Sequence, residues 1–533
     1  MICRRIALLF AVLLALPAIS PADDENLDGL PIIAIHIDRN KIFDTSDPKT
    51  SAWFYRWANA LHIVSKENFI RSMLLFTEGD PYSASAAAES ARILRFLGII
   101  NPVDIRARRV EGGVDVEVTT HDRWSLQVGA QAGLFGSRSS YSLDLEENNL
   151  AGWGKAVRVG YGKDNERDTW SYRYFDPNVF SSRWRVLLER AHFSDGSRDQ
   201  VRVDRPFYSL TTPWAWGVEA SQEDLIEHLY SMSESVVSGG RESENARVWG
   251  GARLPGKGVI ARRLTAGWLH RRDLYSDWEW EDDGSPYPIP EDLIVDGPMI
   301  SYEQIADRFI VVEGFRAWTA QEDVAFGPNF ALTTVFSSPS FGGDRKRLLT
   351  AAGAHAAGRR GKWLFLGDAW FSGRLEEGEV RNLVAGFQVG AAQLGPRGWQ
   401  ARLLVEDSRR LDLNRQLTLG ADLGLRGWDP DYFDGTGRAL LNIQWRRLIK
   451  ERVLGLFSVG VVVFTDAGAT WDPRVGPDTD GIHLDAGVGL LFDLANLSRS
   501  NLLRIDVAMP DDGSGPTITI STSTIFRLPR RGR

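Results

Sequence analysis

The sequence predicts an all-β transmembrane barrel of about 16 antiparallel strands, preceded by one small α+β domain. Three observations carry this. From Asp122 onward the apolar residues recur with a period of two, the signature of strands with one greasy face. Beyond an N-terminal leader there is no run of 18 apolar residues, so no helix is expected to cross a membrane. The composition combines 19 Trp and 52 Gly with only 43% hydrophobic residues, which suits strands that are apolar on the lipid side alone.

Residues 1–22 are expected to form a secretory signal. Arg4 and Arg5 supply a basic start, and Ile6 to Leu16 is an apolar run of 11, too short to span as a helix. Ser20-Pro21-Ala22 offers small residues for cleavage before Asp23. The sole cysteine, Cys3, leaves with the leader, so the exported chain is expected to have no thiol, disulfide or cysteine-based metal site. Loss of Arg4 and Arg5 takes the formal charge from −8 to −10, which argues against a nucleic-acid partner.

Residues 23–121 read as one α+β unit. Pro31 to Asp38 alternates like a strand. Lys66 to Phe76 carries Phe69, Ile70, Met73, Leu74 and Phe76 at helical spacing, with Ser65 as expected N-cap. Ser83 to Leu97 forms a second helix after the Gly79-Asp80-Pro81 turn. Val103–Val110 and Val114–Thr120 are strands joined at Glu111-Gly112-Gly113. Between the first strand and first helix, Asp44 to His62 is aromatic-rich and is expected to add an amphipathic helix.

Residues 122–526 carry the barrel pattern. Tyr141, Leu143 and Leu145 share a face, as do Val157, Val159 and Tyr161, then Trp170, Tyr172 and Tyr174. Leu150–Gly154, Asp176–Phe180 and Arg205–Pro213 read as short turns on one side. Gln222–Ser243 and Asp273–Gly297 read as long insertions in the loops; the second, with seven acids between 277 and 292, reads as a solvated outer loop, with a divalent-cation or lipopolysaccharide-bridging role as the alternative. Gly297 to Phe341 is ambiguous. Near the C-terminus Ile482, Leu484, Ala486, Val488, Leu490 and Phe492 oppose His483, Asp485, Gly487, Gly489 and Asp493. Such pairing of an apolar face with glycine, charge and hydroxyl fits a lipid-facing exterior around a wet lumen. Dividing this region among 16 strands leaves roughly 25 residues each, against about 9–11 needed to span; the pattern itself counts from about 16 to about 20 strands, because of the ambiguous stretch. Residues 527–533 form a basic tail.

The stretch Leu425-Arg426-Gly427-Trp428-Asp429-Pro430 stands out. It lies in a polar, glycine-rich loop, Asn414 to Gly437, between alternating segments. On residue type alone Arg426 is either a solvated loop arginine or a cation plugged into an acidic lumen.

Two resemblances extend this reading. The β-α-α-β-β order with Gly79-Asp80-Pro81-Tyr82 resembles a POTRA domain, a periplasmic module that binds peptides by strand addition. Glu147-Asn148-Asn149-Leu150 with Gly152 and Gly154, Tyr174 with Asp176-Pro177, Arg415 to Asp422 leading into Leu425-Arg426-Gly427-Trp428, and Phe464-Thr465-Asp466-Ala467-Gly468 with Trp471 together resemble the outer-membrane-protein-85 superfamily and its bacterial surface antigen barrel. The resemblance implies that the loop folds into the lumen and that Arg426 pairs with Asp466. The strand pattern agrees: if Phe457, Val459, Val461 and Val463 face lipid, Asp466 faces inward. Gln444, where the family often has glutamate, would be a neutral second anchor and give a looser plug. The family's barrels commonly end on the aromatic of the last strand, whereas here residues 527–533 follow Phe526. A single POTRA unit is also fewer than well-known insertases carry.

The resemblance implies a bacterial outer-membrane protein that helps assemble or insert other proteins. Its POTRA domain would lie in the periplasm and receive unfolded client strands, with accessory periplasmic or lipoprotein partners. The barrel seam would lie between Trp124–Leu134, weakened by Gly129 and Gly133, and a last strand ending at Phe526. The alternatives are a two-partner-type secretion pore and a passive surface antigen. No cofactor, metal or enzymatic activity is expected: the eight His are scattered and no nucleophile or metal-ligand spacing occurs.

Overall fold

The computed structural model describes residues 27–42, 53, 56, 59, 62–135, 138–164, 166–256, 260–306, 308–453, 457–477, 479, 481–493, 502–521 and 525, with backbone alone for 128–135 and 138. The expected leader, the expected basic tail and Phe526 lie outside these residues. So does most of the Asp44–His62 segment, of which Trp53, Arg56 and Asn59 are helical.

The α+β domain runs β1 (Ile32–Asn40), α1 (Glu67–Met73), α2 (Ala84–Phe96), β2 (Ile100–Val110) and β3 (Gly113–Asp122). Its sheet has the order β1-β3-β2, with β1 parallel and β2 antiparallel to the central strand. Val114, Val116 and Val118 of β3 alternate inward against Phe69, Ile70 and Met73 of α1 and Leu94 of α2. Ser83 caps α2, its hydroxyl accepting the Ala86 amide at 3.4 Å. Ser65 does not cap α1. The residue at that position is Lys66, with no side-chain cap. Ser65 instead gives its amide (2.7 Å) and hydroxyl (3.0 Å) to Asp122, which buries it at the domain–barrel junction.

The barrel strands follow: β4 (Leu126–Phe135), β5 (Arg138–Leu150), β6 (Lys155–Lys163), β7 (Asp168–Val179), β8 (Trp184–Phe193), β9 (Gly196–Arg205), β10 (Trp214–Ser231), β11 (Glu234–Leu254), β12 (Ile260–Trp280) and β13 (Leu293–Ala306). A small separate hairpin, β14 (Phe309–Val312) and β15 (Glu322–Ala325), interrupts the series. Then come β16 (Asn329–Ser337), β17 (Arg347–Arg360), β18 (Trp363–Glu376), β19 (Glu379–Gln393), β20 (Arg397–Arg409), β21 (Gly437–Val453), β22 (Phe457–Trp471), β23 (His483–Asp493), β24 (Leu502–Pro510) and β25 (Thr517–Ser521). Twenty antiparallel strands close into a barrel, with β25 meeting β4.

The fold class is the expected one, and the count is 20 strands, above the favoured figure of about 16 and at the upper end of the pattern count. Tight connections account for much of the difference. At Met232-Ser233 both residues take positive φ (50° and 66°), as a two-residue hairpin turn of the primed type requires, and Glu377-Gly378 repeats the device (51° and 84°). Gln222–Ser243 is likewise no loop. β10 and β11 pair through it without a break from Gln222↔Glu244 to Leu229↔Val237. Cross-strand ion pairs such as Arg241–Glu227 (3.0 Å) support a ribbon that outruns the apolar span.

The two barrel faces differ as a membrane requires. On β22, Val463 is 51% exposed on the outer surface while Asp466 is 1% exposed within. Tyr141, Tyr161 and Trp170 form a ring-to-ring row toward one mouth, at 6.1 and 4.9 Å, and Trp184 and Trp216 meet edge-on at 4.4 Å near the other. Aromatic residues in two such bands mark the interfaces of a transmembrane barrel. The α+β domain covers the second mouth. All three short turns reach it: Asn149 donates to Ser65 Oγ (3.0 Å), Asn178 to Ser72 Oγ (2.7 Å), and the Leu210 amide to Glu89 (2.6 Å).

Candidate functional site: a lumen closed by its own chain

The connection between β20 and β21 leaves the mouth far from the α+β domain and turns back into the lumen. It is stiffened by backbone bonds between Leu419 and Phe433 in both directions (2.8 and 3.0 Å). Its tip closes through Leu425 N to Gly420 O (3.0 Å) and Trp428 N to Leu425 O (3.2 Å). Leu425 is fully buried with Leu404, Leu419, Phe433 and Leu440. Trp428 packs on Tyr432, Phe433 and His483, with centroids 5.0, 4.8 and 5.3 Å apart. The tip is therefore wedged by apolar contacts and does not hang freely.

Between Leu425 and Trp428, Arg426 points into the wall. Its Nε donates to Asp466 Oδ2 (2.7 Å), its Nη2 to Asp466 Oδ1 (2.8 Å) and its Nη1 to Gln444 Oε1 (3.2 Å). The guanidinium lies 3.5 Å from the centre of the Phe464 ring, and Asp506 stands 3.8 Å from Nη1. A two-point guanidinium–carboxylate bond combined with a ring face is the arrangement that lysine cannot reproduce.

Strand register explains why these groups converge. Asn442 of β21 pairs with Asp466 of β22, which pairs with Asp485 of β23, so three lumenal polar side chains form a row. Asn442 Nδ2 donates to Asp466 Oδ1 and to Gly424 O, both at 2.7 Å. The Gly427 amide donates to Asp485 Oδ2 (2.8 Å), and Thr517 of β25 donates to Gly427 O (2.9 Å). A Cβ at Gly427 would lie 2.6 Å from Asp485 Cβ, so the backbone can approach the wall only as glycine. In sum, one tip binds strands β21, β22, β23 and β25.

The loop also carries Asp431, which burial and the neighbouring charge of Asp422 push up to about 6. Its carboxylate accepts the Thr418 hydroxyl at 2.5 Å.

Of the expected seam residues, Gly133 pairs with Thr519 of β25, beside Leu134↔Ile518. Gly129 pairs with Asp144 of β5 and, among the described residues, has no pairing with β25. Phe526 lies outside the described residues.

The sequence reading missed a second occupant of the lumen. The β14–β15 hairpin, within the ambiguous Gly297–Phe341 stretch, enters from the domain side. Arg446 donates to Gly314 O (2.6 Å), Arg316 O (2.9 Å) and Phe315 O. Asp493 receives the amides of Trp318 (2.7 Å) and Thr319 (2.9 Å). The available signal was a break in alternation, Gly314 to Ala320, where Phe315, Ala317, Trp318 and Ala320 are all buried.

Fold and site together define a transmembrane β-barrel whose lumen is closed by its own chain and whose one mouth carries a small α+β domain. No family profile matches the chain, and no curated protein matches it. Solved structures similar to it include the following three. BamA from Haemophilus ducreyi lacking POTRA domains 1-3 has 14% identity and a TM-score of 0.39, covering 92% of this chain and 83% of that one. CdiB from Acinetobacter baumannii has 10% identity and a TM-score of 0.44, covering 93% and 74%. CdiB from Escherichia coli has 12% identity and a TM-score of 0.42, covering 94% and 91%.

Proposed function

We propose that this chain is a bacterial outer-membrane barrel that helps insert client proteins, with the α+β domain in the periplasm receiving the client and the barrel seam templating it. The observation that carries the reading is the seam and its lock. Among the described residues β25 meets β4 only at Ile518↔Leu134 and Thr519↔Gly133, whereas β24 and β25 pair from Arg504↔Ser521 to Ala508↔Thr517. The same β25 is held from inside by Thr517 bonded to Gly427 O. A seam with two pairings among the described residues, clamped from inside by a loop, suits an edge that opens to accept a strand. The glycine-rich first strand and the resemblance of the Leu425–Trp428 motif support the same reading.

The test exploits the absence of any cysteine after Cys3. Ile518→Cys with Leu134→Cys allows a disulfide across the seam. Under oxidising conditions the outer-membrane proteome should lose several unrelated barrel proteins, and reduction should restore them. Full client insertion with the seam cross-linked would overturn the proposal. Loss of one secreted protein alone, in cells lacking the chain, would instead favour passage through the lumen.

A further inference from the structure

We infer that the β14–β15 hairpin is a second plug, coupled at one end to the α+β domain and at the other to the Arg426 loop, so that movement of the domain is felt at the far plug.

At the domain end, Arg95 near the C-terminus of α2 makes a two-point bond to Asp323 of β15, Nε to Oδ2 at 2.8 Å and Nη2 to Oδ1 at 2.7 Å. The Arg92 guanidinium lies 3.9 Å from the centre of the Phe309 ring, on β14. Asn101 donates to Gln321 O at 3.4 Å. Both strands of the hairpin thus touch the domain. At its tip, Glu322 accepts the amides of Arg316 (2.7 Å) and Ala317 (3.2 Å), which fixes the turn that Arg446 and Asp493 hold.

The far connection is a relay of amides. Arg426 Nη1 donates to Gln444 Oε1 (3.2 Å), Gln444 Nε2 donates to Gln400 Oε1 (2.7 Å), and Gln400 Nε2 donates to Phe315 O at the hairpin tip (2.8 Å). Gln444 is 4% and Gln400 3% exposed, so water does not compete freely for these bonds. The relay explains the residue type at 444. An ionised carboxylate could receive Arg426 but could give nothing to Gln400, whereas an amide both accepts and donates. Gln444 therefore acts as a positioning residue joining two plugs, where a glutamate would serve one.

The inner face of β22 is the common floor. A Cβ at Gly468 would meet Leu419 at 2.6 Å and Leu425 at 3.1 Å, and one at Gly460 would meet Trp318 at 2.1 Å. Two glycines on one lumenal face thus receive the two plugs, with Phe464 and Asp466 between them.

The test uses the purified full chain in lipid vesicles and no client, so its failure is distinguishable from failure of the insertion reading. Leu425→Cys places a thiol in the buried far plug, and its labelling by a membrane-impermeant thiol reagent reports exposure. Asp323→Asn should raise the labelling rate about tenfold, the scale of one lost charge-assisted hydrogen bond. The paired swap Asp323→Arg with Arg95→Asp should restore slow labelling. Adding Gln444→Glu should remove the dependence on residue 323. Heat-shifted gel migration confirms that each variant is folded. If folded Asp323→Asn labels at the unsubstituted rate, or if Gln444→Glu leaves its effect undiminished, the coupling is overturned.

Discussion

Asp466 holds Arg426 through both carboxylate oxygens, at 2.7 and 2.8 Å, and also accepts Asn442 at 2.7 Å. The acid sits on a barrel strand and the base on a loop that enters from the far mouth. The bond therefore converts a mobile kind of element into part of the wall.

Removing one member of so buried a pair leaves a charge without its counter-charge, which costs roughly 3–5 kcal/mol. Asp466→Asn and Arg426→Ala should each lower the temperature at which the folded barrel unfolds in detergent, read by gel migration. The double variant Arg426→Ala with Asp466→Ala should lose less than the two single losses combined. Arg426→Lys should recover only part of the stability, since the two-point geometry is gone.

Gly427→Ala tests the close approach without touching charge. The new methyl would sit 2.6 Å from Asp485 Cβ and 3.1 Å from Pro510 N. The tip should be pushed from the wall, breaking the bonds to Asp485 and Thr517. Planar-bilayer recordings should show more frequent openings than the unsubstituted chain.

Gly460→Leu addresses the other plug in the same way. Its side chain would enter the space of Trp318. Protease added on the domain side should then cut within residues 313–321, a segment that is protected while Asp493 holds Trp318 and Thr319.

Acidification should tighten the far loop. Burial raises Asp431 to about 6, above the ~3.9 of an exposed aspartate. The folded loop therefore binds a proton more readily than the unfolded loop does. Its stability should fall as pH rises from about 4 to about 6 and then level off. Hydrogen exchange at Leu419 and Phe433, corrected for intrinsic rate, should be slower at pH 5 than at pH 8. Asp431→Asn should flatten that dependence.

The barrel was legible because its strands obey one simple rule, alternation, and lipid enforces that rule on every strand. The inward facing of Asp466 follows from the alternation of Phe457, Val459, Val461 and Val463. The strand count was less legible. A ribbon such as Gln222–Ser243 continues pairing beyond the membrane, where both faces are wet and the alternation of polarity fades. Asp485 and Thr517, which grip Gly427, were invisible as partners because register between distant strands is not written in local pattern. The Phe309–Ala325 hairpin was missed for a related reason: inside a filled lumen an apolar side chain is buried on either face, so no period marks it.

A last consequence follows from the two glycines of β22. In a barrel strand a slip of two residues returns every side chain to its proper face, so lipid cannot tell the correct alignment from its neighbours. Such a slip would move Asp466 by about 6.8 Å along the barrel, out of reach of Arg426, and would drive side chains into the places of Leu425 and Trp318. The closed lumen is thus a gauge of alignment: the wall is checked from within, against segments that fit only one way of zipping the sheet.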